Sequence, residues 1–495
     1  MDLAYLIRRA ARNYPSTAYF EDERTRRTLA TLTERAERFA NALDTLEVPA
    51  GAPVGVLSEN RLDYIEVDLG LALARRTRVA LNARLNLEDF AYSLADSKAV
   101  ALVHSGSFSD EAVKLGEELG LITLDLDSQS GYQRLLDQSS AASIVRPGTD
   151  EDPAWITYTS GTTGRPKGIV LSQRSIRQVS LNILLELGPV RPGEQLVLTQ
   201  ALSHGAGYFV LPYLISGAGL CIQGTFDPER VARLSERPEI TSLKIVPAML
   251  PGLLDTGLRL DYETIVYGAS PISKPVLDAA LERLGPVLIQ IYGQSEAPVT
   301  LTCLGKQEHV EEGDQRASAG RPWRSVALEV RNAEGEALGS GEVGEVTVSG
   351  DHLMSGYLGL PEATAEVLRD GWVWTKDMGY VDDRGYVYLV GRRDEMINSG
   401  GFNIAPREVE RVLLDHPEIE ECVVVGLPDA RWGSAVNAVV RCRRPLNEEE
   451  VIAFARPRLG FRTPKRVHFV GSIPRNPYGK VDRVRVLEAL AVQPT

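Results

Sequence analysis

Tyr158-Thr159-Ser160-Gly161-Thr162-Thr163-Gly164-Arg165-Pro166-Lys167-Gly168 is the stretch from which the rest of the chain can be read. Its small and hydroxylated residues let backbone N–H and side-chain O–H donors converge on one ligand with no bulky group between. A polyphosphate needs such a cradle, and Lys167 adds a point charge suited to phosphate. The apolar run Trp155-Ile156-Thr157-Tyr158 before it predicts a strand, so the segment sits at a strand end, where α/β proteins hold ligands. A plain Gly/Ser/Thr turn has the same composition. A Walker loop does not fit, because that motif opens a helix with Gly-Lys-[Ser/Thr], whereas Gly164 is followed here by Arg-Pro-Lys-Gly.

The 495 residues have room for one large domain and a smaller one. A net charge of −13 argues against nonspecific nucleic-acid binding and leaves any anionic cofactor to local cations. The N-terminus is amphipathic and interrupted by charges, unlike a signal peptide, and no apolar run reaches membrane-span length. No nucleic-acid partner and no integral membrane association are therefore expected. Cys221, Cys303, Cys422 and Cys442 lie far apart without a C-x-x-C pair, and the histidines are scattered. Neither disulfides nor a zinc site is expected, and the chain reads as cytoplasmic. Monomer and homodimer both stay open.

Between about 150 and 300 the pattern alternates. Strands are expected at Ala154–Tyr158, Gln195–Thr199, Gly219–Gln223, Ser242–Val246, Thr264–Tyr267 and Val287–Ile291, with helices at Ser172–Leu187, Glu229–Glu236 and Ser273–Leu284. Ser273 reads as an N-cap, with Pro275 in the first turn and Val276, Leu277, Ala280, Leu281 and Leu284 on one face. This predicts an α/β sheet covered by helices. Short β-rich runs between Val326 and Gly391 predict a small β subdomain. After it come a helix from Pro406, strands Cys422–Val425 and Val436–Val440, helix Glu448–Ala455 and strand Arg466–Val470. The expected fold class is α/β: a large N-terminal multi-subdomain part with a β subdomain (1–393), then a small, mobile C-terminal α+β domain (394–495).

Three more segments stand in order along the chain: Tyr292-Gly293-Gln294-Ser295-Glu296-Ala297; Trp374-Thr375-Lys376-Asp377-Met378-Gly379 with Gly391-Arg392-Arg393-Asp394 and Ser399-Gly400-Gly401-Phe402; and Pro474-Arg475-Asn476-Pro477-Tyr478-Gly479-Lys480. With these the chain resembles the adenylate-forming superfamily, the acyl- and aryl-CoA synthetases with their adenylation-domain and luciferase cousins. The resemblance covers the whole length, from the Asn60 and Asn82 neighbourhoods to Lys480.

The resemblance implies an ATP-dependent carboxylic acid–CoA ligase that forms acyl-AMP and then a thioester, with ATP, Mg2+ and coenzyme A. Catalysis of such a transfer is mostly positioning and charge neutralisation. Thr159, Ser160, Gly161, Thr162, Thr163, Gly164 and Lys167 would grip the β/γ-phosphates. Glu296 would hold Mg2+ and Ser295 would meet the α-phosphate. Asp377 and Arg392 would bind the ribose, while Gly268, Ala269, Ser270 and Tyr292 would flank the adenine. Lys480 would bridge carboxylate and α-phosphate as charge builds. Asp394 matches the family's hinge, about which the small domain swings between two poses, and Gly400 and Gly401 would line the pantetheine tunnel.

Trp432, Phe461, Arg462 and Lys465 resemble the groups that meet the CoA adenine and phosphates, although Trp432 and Phe461 are equally readable as core aromatics. The chain stops at Thr495 with no carrier segment, which favours free CoA. The alternative is a stand-alone adenylating enzyme that delivers acyl-AMP to a carrier-protein pantetheine or performs one half-reaction. The acid pocket is expected around His204, Gly205 and Gly207, with Met249, Gly293 and Pro298. His204 gates the pocket, contacts the carboxylate, or packs. No aspartate stands in this segment to hold an α-amine, and its small residues suit a bulky aryl, alicyclic or fatty acid. Three departures stand out: Ser295 for the usual threonine, Lys376 for the commonest glycine, and Arg75-Arg76 where small residues are frequent.

Overall fold

The computed structural model describes residues 2–159, 165–429, 431–476 and 481–491. Two mainly parallel sheets share the large N-terminal part. The first has nine strands, and its parallel run orders Leu288–Tyr292, Thr264–Gly268, Ile240–Ile245, Gln195–Leu198, Gly219–Ile222 and Tyr19–Glu21. The second has seven, in the order Gly356–Tyr357, Lys167–Ser172, Pro153–Thr159, Thr77–Ala80, Pro53–Leu57, Ala101–His104 and Ile122–Asp125. The strand beginning near 153 was expected to share a sheet with the strands from 195 onward; it belongs to the other one. Local alternation marks strands but does not say which sheet a crossover returns to.

The core between the sheets explains one helix that has no polar face. Leu62–Ala74 is buried nearly all round, as a helix enclosed on every side must be. Gly70 lets it cross the helix Leu29–Thr45 closely, since a Cβ there would lie 2.6 Å from the Phe39 ring. Its one acidic residue at 0% exposure, Glu66, takes hydrogen bonds from Arg35 and from Tyr132 Oη at 2.8 Å. A buried charge survives only with such partners.

Arg75 and Arg76 are accommodated by specific bonds. Arg75 ends that helix at φ 52°, a left-handed position that favours glycine. Its guanidinium donates to Asp2, Asp152 and the Thr149 carbonyl. Arg76 donates to Asp44 and to the carbonyls of Val48 and Ala74. The pair thus ties three chain segments to the helix end.

The helix expected from Ser273 spans Lys274–Leu284, with Leu277 and Ala280 buried. Ser273 occupies the N-cap position, but its side chain makes no capping bond. The β subdomain is a five-stranded sheet built on Ala327–Arg331, Gly344–Ser349 and Trp372–Val381, with Val387–Arg392 alongside. Beyond it, a second five-stranded sheet pairs Ile419–Asp429 with Gly433–Cys442 in a long hairpin and adds Ile397–Ser399, Phe402–Ile404 and Arg466–Phe469. These strands run well past the expected Cys422–Val425 and Val436–Val440, because Glu420, Glu421, Gly426, Pro428 and Ser434 interrupt the apolar run at their ends. All four cysteines are free thiols. No described helix is long and apolar enough to cross a membrane.

Candidate active site

Thr159 and Lys167 face each other across the antiparallel pair Pro153–Thr159 and Lys167–Ser172. The glycine–threonine segment therefore joins two strands, which rules out the strand-to-helix setting of a Walker loop. Ser160, Gly161, Thr162, Thr163 and Gly164 lie outside the described residues, as does Lys480.

Around this hairpin the widely separated motifs meet. Lys167 Nζ stands 4.9 Å from the centre of the Tyr357 ring, and Tyr357 Oη donates to Glu296 Oε1 at 2.8 Å. Among the described residues, only Tyr357 donates to the Glu296 carboxylate. The other oxygen fits a hard cation such as Mg2+. Burial and the Glu296 charge both push the Tyr357 phenol well up from its ordinary value, so it stays a neutral donor. Asp377, 5% exposed, accepts from Tyr292 Oη at 2.5 Å and faces Arg392 Nη1 at 3.5 Å. Arg392 also feels the charge of Glu296. Both carboxylates thus look onto one guanidinium.

The loops that carry these groups are strained. Val299 has φ 47° and Ala269 φ 73°, conformations that a β-branched or bulkier residue adopts only when its surroundings impose them. Gly293 must be glycine because a Cβ would sit 2.5 Å from Val299 N, and Gly268 because a Cβ would sit 2.4 Å from Ile291 O. Lys376 adopts φ 60°, the physical reason a glycine suits that position. Its ammonium pairs with Asp394 at 3.5 Å, and its N–H donates to Glu345, which also binds Arg393 at 2.7 Å.

In the expected acid pocket, His204 Nδ1 is 2.8 Å from the Ser203 carbonyl, and Met249 Sδ is 3.5 Å from Thr199 Oγ1. Gly207 is small for a different reason than substrate space: a Cβ would lie 2.3 Å from Leu202 O. Gly205 does face open space, with only Gln200 Oε1 at 3.8 Å. Pro298 is buried beside the strained Val299.

On the small domain, Phe461 is a surface group and Trp432 is half-buried. Phe461 is 56% exposed and packs on Phe402 with ring centroids 4.7 Å apart. Lys465 and Arg431 stand 5.0 and 4.8 Å over the Trp432 ring, and Arg462 pairs with Glu408. Gly400, at φ 61°, donates its N–H to the Trp432 carbonyl, and a Cβ there would strike the indole at 2.9 Å. Gly401, at φ 86°, has nothing within reach of a Cβ.

Tyr357 and Phe402 were not among the site residues expected from sequence. Phe402 stood inside a recognised motif, whereas nothing local marks Tyr357, which becomes informative only once its strand is paired beside Lys167–Ser172. Tyr357→Phe should leave Lys167 its aromatic face but strip the Glu296 carboxylate of its donor, a bond to a charged group worth about 1.5–3 kcal/mol. The expected result is a loss of turnover of about tenfold or more with a higher Mg2+ requirement. An unchanged Mg2+ titration would contradict the role of this bond.

The AMP-binding enzyme family matches residues 7–358 and the AMP-binding enzyme C-terminal domain matches residues 408–480. The chain belongs to this family and is an AMP-forming acid–thiol ligase of the acyl-CoA synthetase branch. It is 35% identical over 492 residues to the medium/long-chain-fatty-acid–CoA ligase FadD8 of Mycobacterium tuberculosis, covering 93% of this chain and 85% of that one. It is 34% identical over 485 residues to the feruloyl-CoA synthase of an Amycolatopsis species, covering 96% of each. Among solved structures, the amide bond synthetase McbA from Marinactinospora thermotolerans superposes with a TM-score of 0.89 at 29% identity, covering 98% of this chain and 99% of that one.

Proposed function

We propose that the protein joins a carboxylic acid to coenzyme A in two steps, acyl-AMP first and thioester second. The observation that carries this reading is the meeting of Lys167, Tyr357 and Glu296 with Tyr292, Asp377 and Arg392 around one basic centre. Asp377 can accept from both ribose hydroxyls while Tyr292 and Arg392 hold its orientation. Glu296 would hold Mg2+, which when bound offsets phosphate charge. Thr159, Lys167 and the segment between them would grip the β/γ-phosphates, and Ser295 would meet the α-phosphate. Gly268, Ala269 and Ser270 end a strand beside Tyr292's strand, which suits the adenine. Lys480 would enter from the small domain to meet the charge that builds on carboxylate and α-phosphate.

The second step needs room for a thiol where Lys480 stood, so the small domain must move. We place the boundary at 393/394 and the hinge at Asp394. Its half-exposed pair with Lys376 is worth about 0–1 kcal/mol and does not obstruct rotation. Trp432, half-buried and flanked by Arg431 and Lys465, sets an aromatic group beside two cations, a fit for an adenine with its phosphates. That patch favours free CoA over a carrier protein. ATP and CoA are supplied in the cytoplasm, which we take as its location.

An acid panel with ATP and Mg2+, scored for pyrophosphate and for thioester with and without CoA, tests the reading. Acid-dependent pyrophosphate release in both conditions and thioester only with CoA are expected. Pyrophosphate with no CoA thioester would shift the assignment to a carrier protein or an amine as acceptor. No pyrophosphate from any acid would overturn it.

A further inference from the structure

Lys244 lies in the central strand Ile240–Ile245 and is 3% exposed. Leu243 and Ile245 on either side of it pack outward with Tyr262 and Leu277. Lys244 therefore points to the inner face of the sheet, where the Phe209 ring lies 5.8 Å from its ammonium. That ammonium has three N–H groups, and its hydrogen bond among the described residues is a 3.2 Å contact to the Ile245 carbonyl. No described carboxylate approaches it within ion-pair distance. A buried ammonium without a counter-charge is costly, and burial draws its pKa down to about 7.

Other unspent polar groups lie at the carboxyl ends of the next two strands of the same sheet, Gln195–Leu198 and Gly219–Ile222. Thr199 donates to the Lys244 carbonyl. The next residue, Gln200, has a buried Nε2 without a partner, and Gln223, 1% exposed, has a buried Oε1 in the same state. Asn60 holds these two ends together, donating to Gln200 O at 2.7 Å and Gln223 O at 3.1 Å. The Gly205 turn faces Gln200. The carboxyl ends of parallel strands are where such sheets receive ligands. An alkyl tail laid here would leave all of these groups unsatisfied.

We infer that the acid this enzyme activates carries an oxygen acceptor, a second carboxylate or an aryl hydroxyl, at the end remote from the activated carboxylate, and that Lys244 binds it. The inference rests on the acid pocket lying behind the His204–Tyr208 turn. Lys244 is a specificity residue in this account, with Gln200 and Gln223 supplying further polar contacts.

Matched acids test it: hexanoate against hexanedioate, and cinnamate against 4-hydroxycinnamate, by kcat/KM for pyrophosphate release without CoA. In at least one pair the oxygenated acid should be favoured on the order of 100-fold, because a site built for a hydrogen bond rejects the analogue lacking it. Lys244→Met should bring that ratio to within a few-fold of one, lowering the oxygenated acid and raising the plain one. Lys244→Gln, a neutral donor, should keep part of a hydroxyl preference and lose a carboxylate preference. Ratios near one in the wild type, or an equal loss for both acids in Lys244→Met, overturn the inference while leaving the ligase reading intact. If the Met variant does not fold, the wild-type and Gln ratios decide. If no acid releases pyrophosphate, the ligase reading itself fails. Thermal shifts of the wild type with each acid pair then decide: stabilisation by the oxygenated member alone supports the inference, and equal or absent shifts overturn it.

Discussion

Asp377→Ala is expected to lower kcat/KM for acid-dependent pyrophosphate release by about three orders of magnitude, most of it through weaker ATP binding. Hydrogen bonds to a charged group contribute about 1.5–3 kcal/mol each, and a carboxylate at this position can accept from both ribose hydroxyls. Two such bonds correspond to about 3–6 kcal/mol, at about 1.4 kcal/mol per decade of rate. The loss also reaches the pocket wall, because Tyr292 Oη, 2.5 Å from Asp377, would be left without its acceptor in a buried place. Asp377→Asn keeps the shape but replaces one acceptor oxygen with a donor, so it should fall between wild type and alanine. Calorimetric titration with ATP checks both. Wild-type ATP affinity in Asp377→Ala would remove the ribose role.

Lys480→Ala separates the two half-reactions. Loss of a cation aimed at developing charge costs about 10²–10³-fold in rate, and acyl-AMP formation should fall by at least that much. Thioester formation from supplied acyl-AMP should persist, since the proposed domain rotation takes the lysine out of the site for that step. Lys480 lies outside the described residues, so this expectation rests on the motif and on the C-terminal family match, which runs to residue 480. Equal loss in both half-reactions would mean that the lysine supports folding or domain placement rather than the first transfer.

Much of the site could be read without coordinates. Tyr292, Glu296, Asp377 and Arg392 were each expected from short motifs, and these motifs do converge. Motif residues are legible because a ligand imposes their type and spacing locally. Tyr357 was not legible: its bond to Glu296 spans 61 residues and depends on its strand pairing with Lys167–Ser172. Lys244 was not legible either. In sequence it is one lysine in an apolar run, and only the enclosure of both faces of its sheet shows that no described residue gives it a counter-charge. Of the small residues of the expected acid pocket, Gly207 answers to a backbone contact of 2.3 Å, while Gly205 does face open space.

By itself the sequence carried the family. The motifs around Lys167, Glu296, Asp377 and Lys480 are what make the chain resemble the adenylate-forming enzymes, because charge and hydrogen-bonding type belong to the residues themselves. The tertiary structure alone decided how the pieces share space: two sheets where alternation suggested one, a hairpin under the phosphate segment, and a tyrosine joining Lys167 to Glu296. It also decided that Lys244 is buried without a counter-charge among the described residues. Pairing between distant strands and the burial that follows are properties of the packed chain, and no local stretch of residues encodes them.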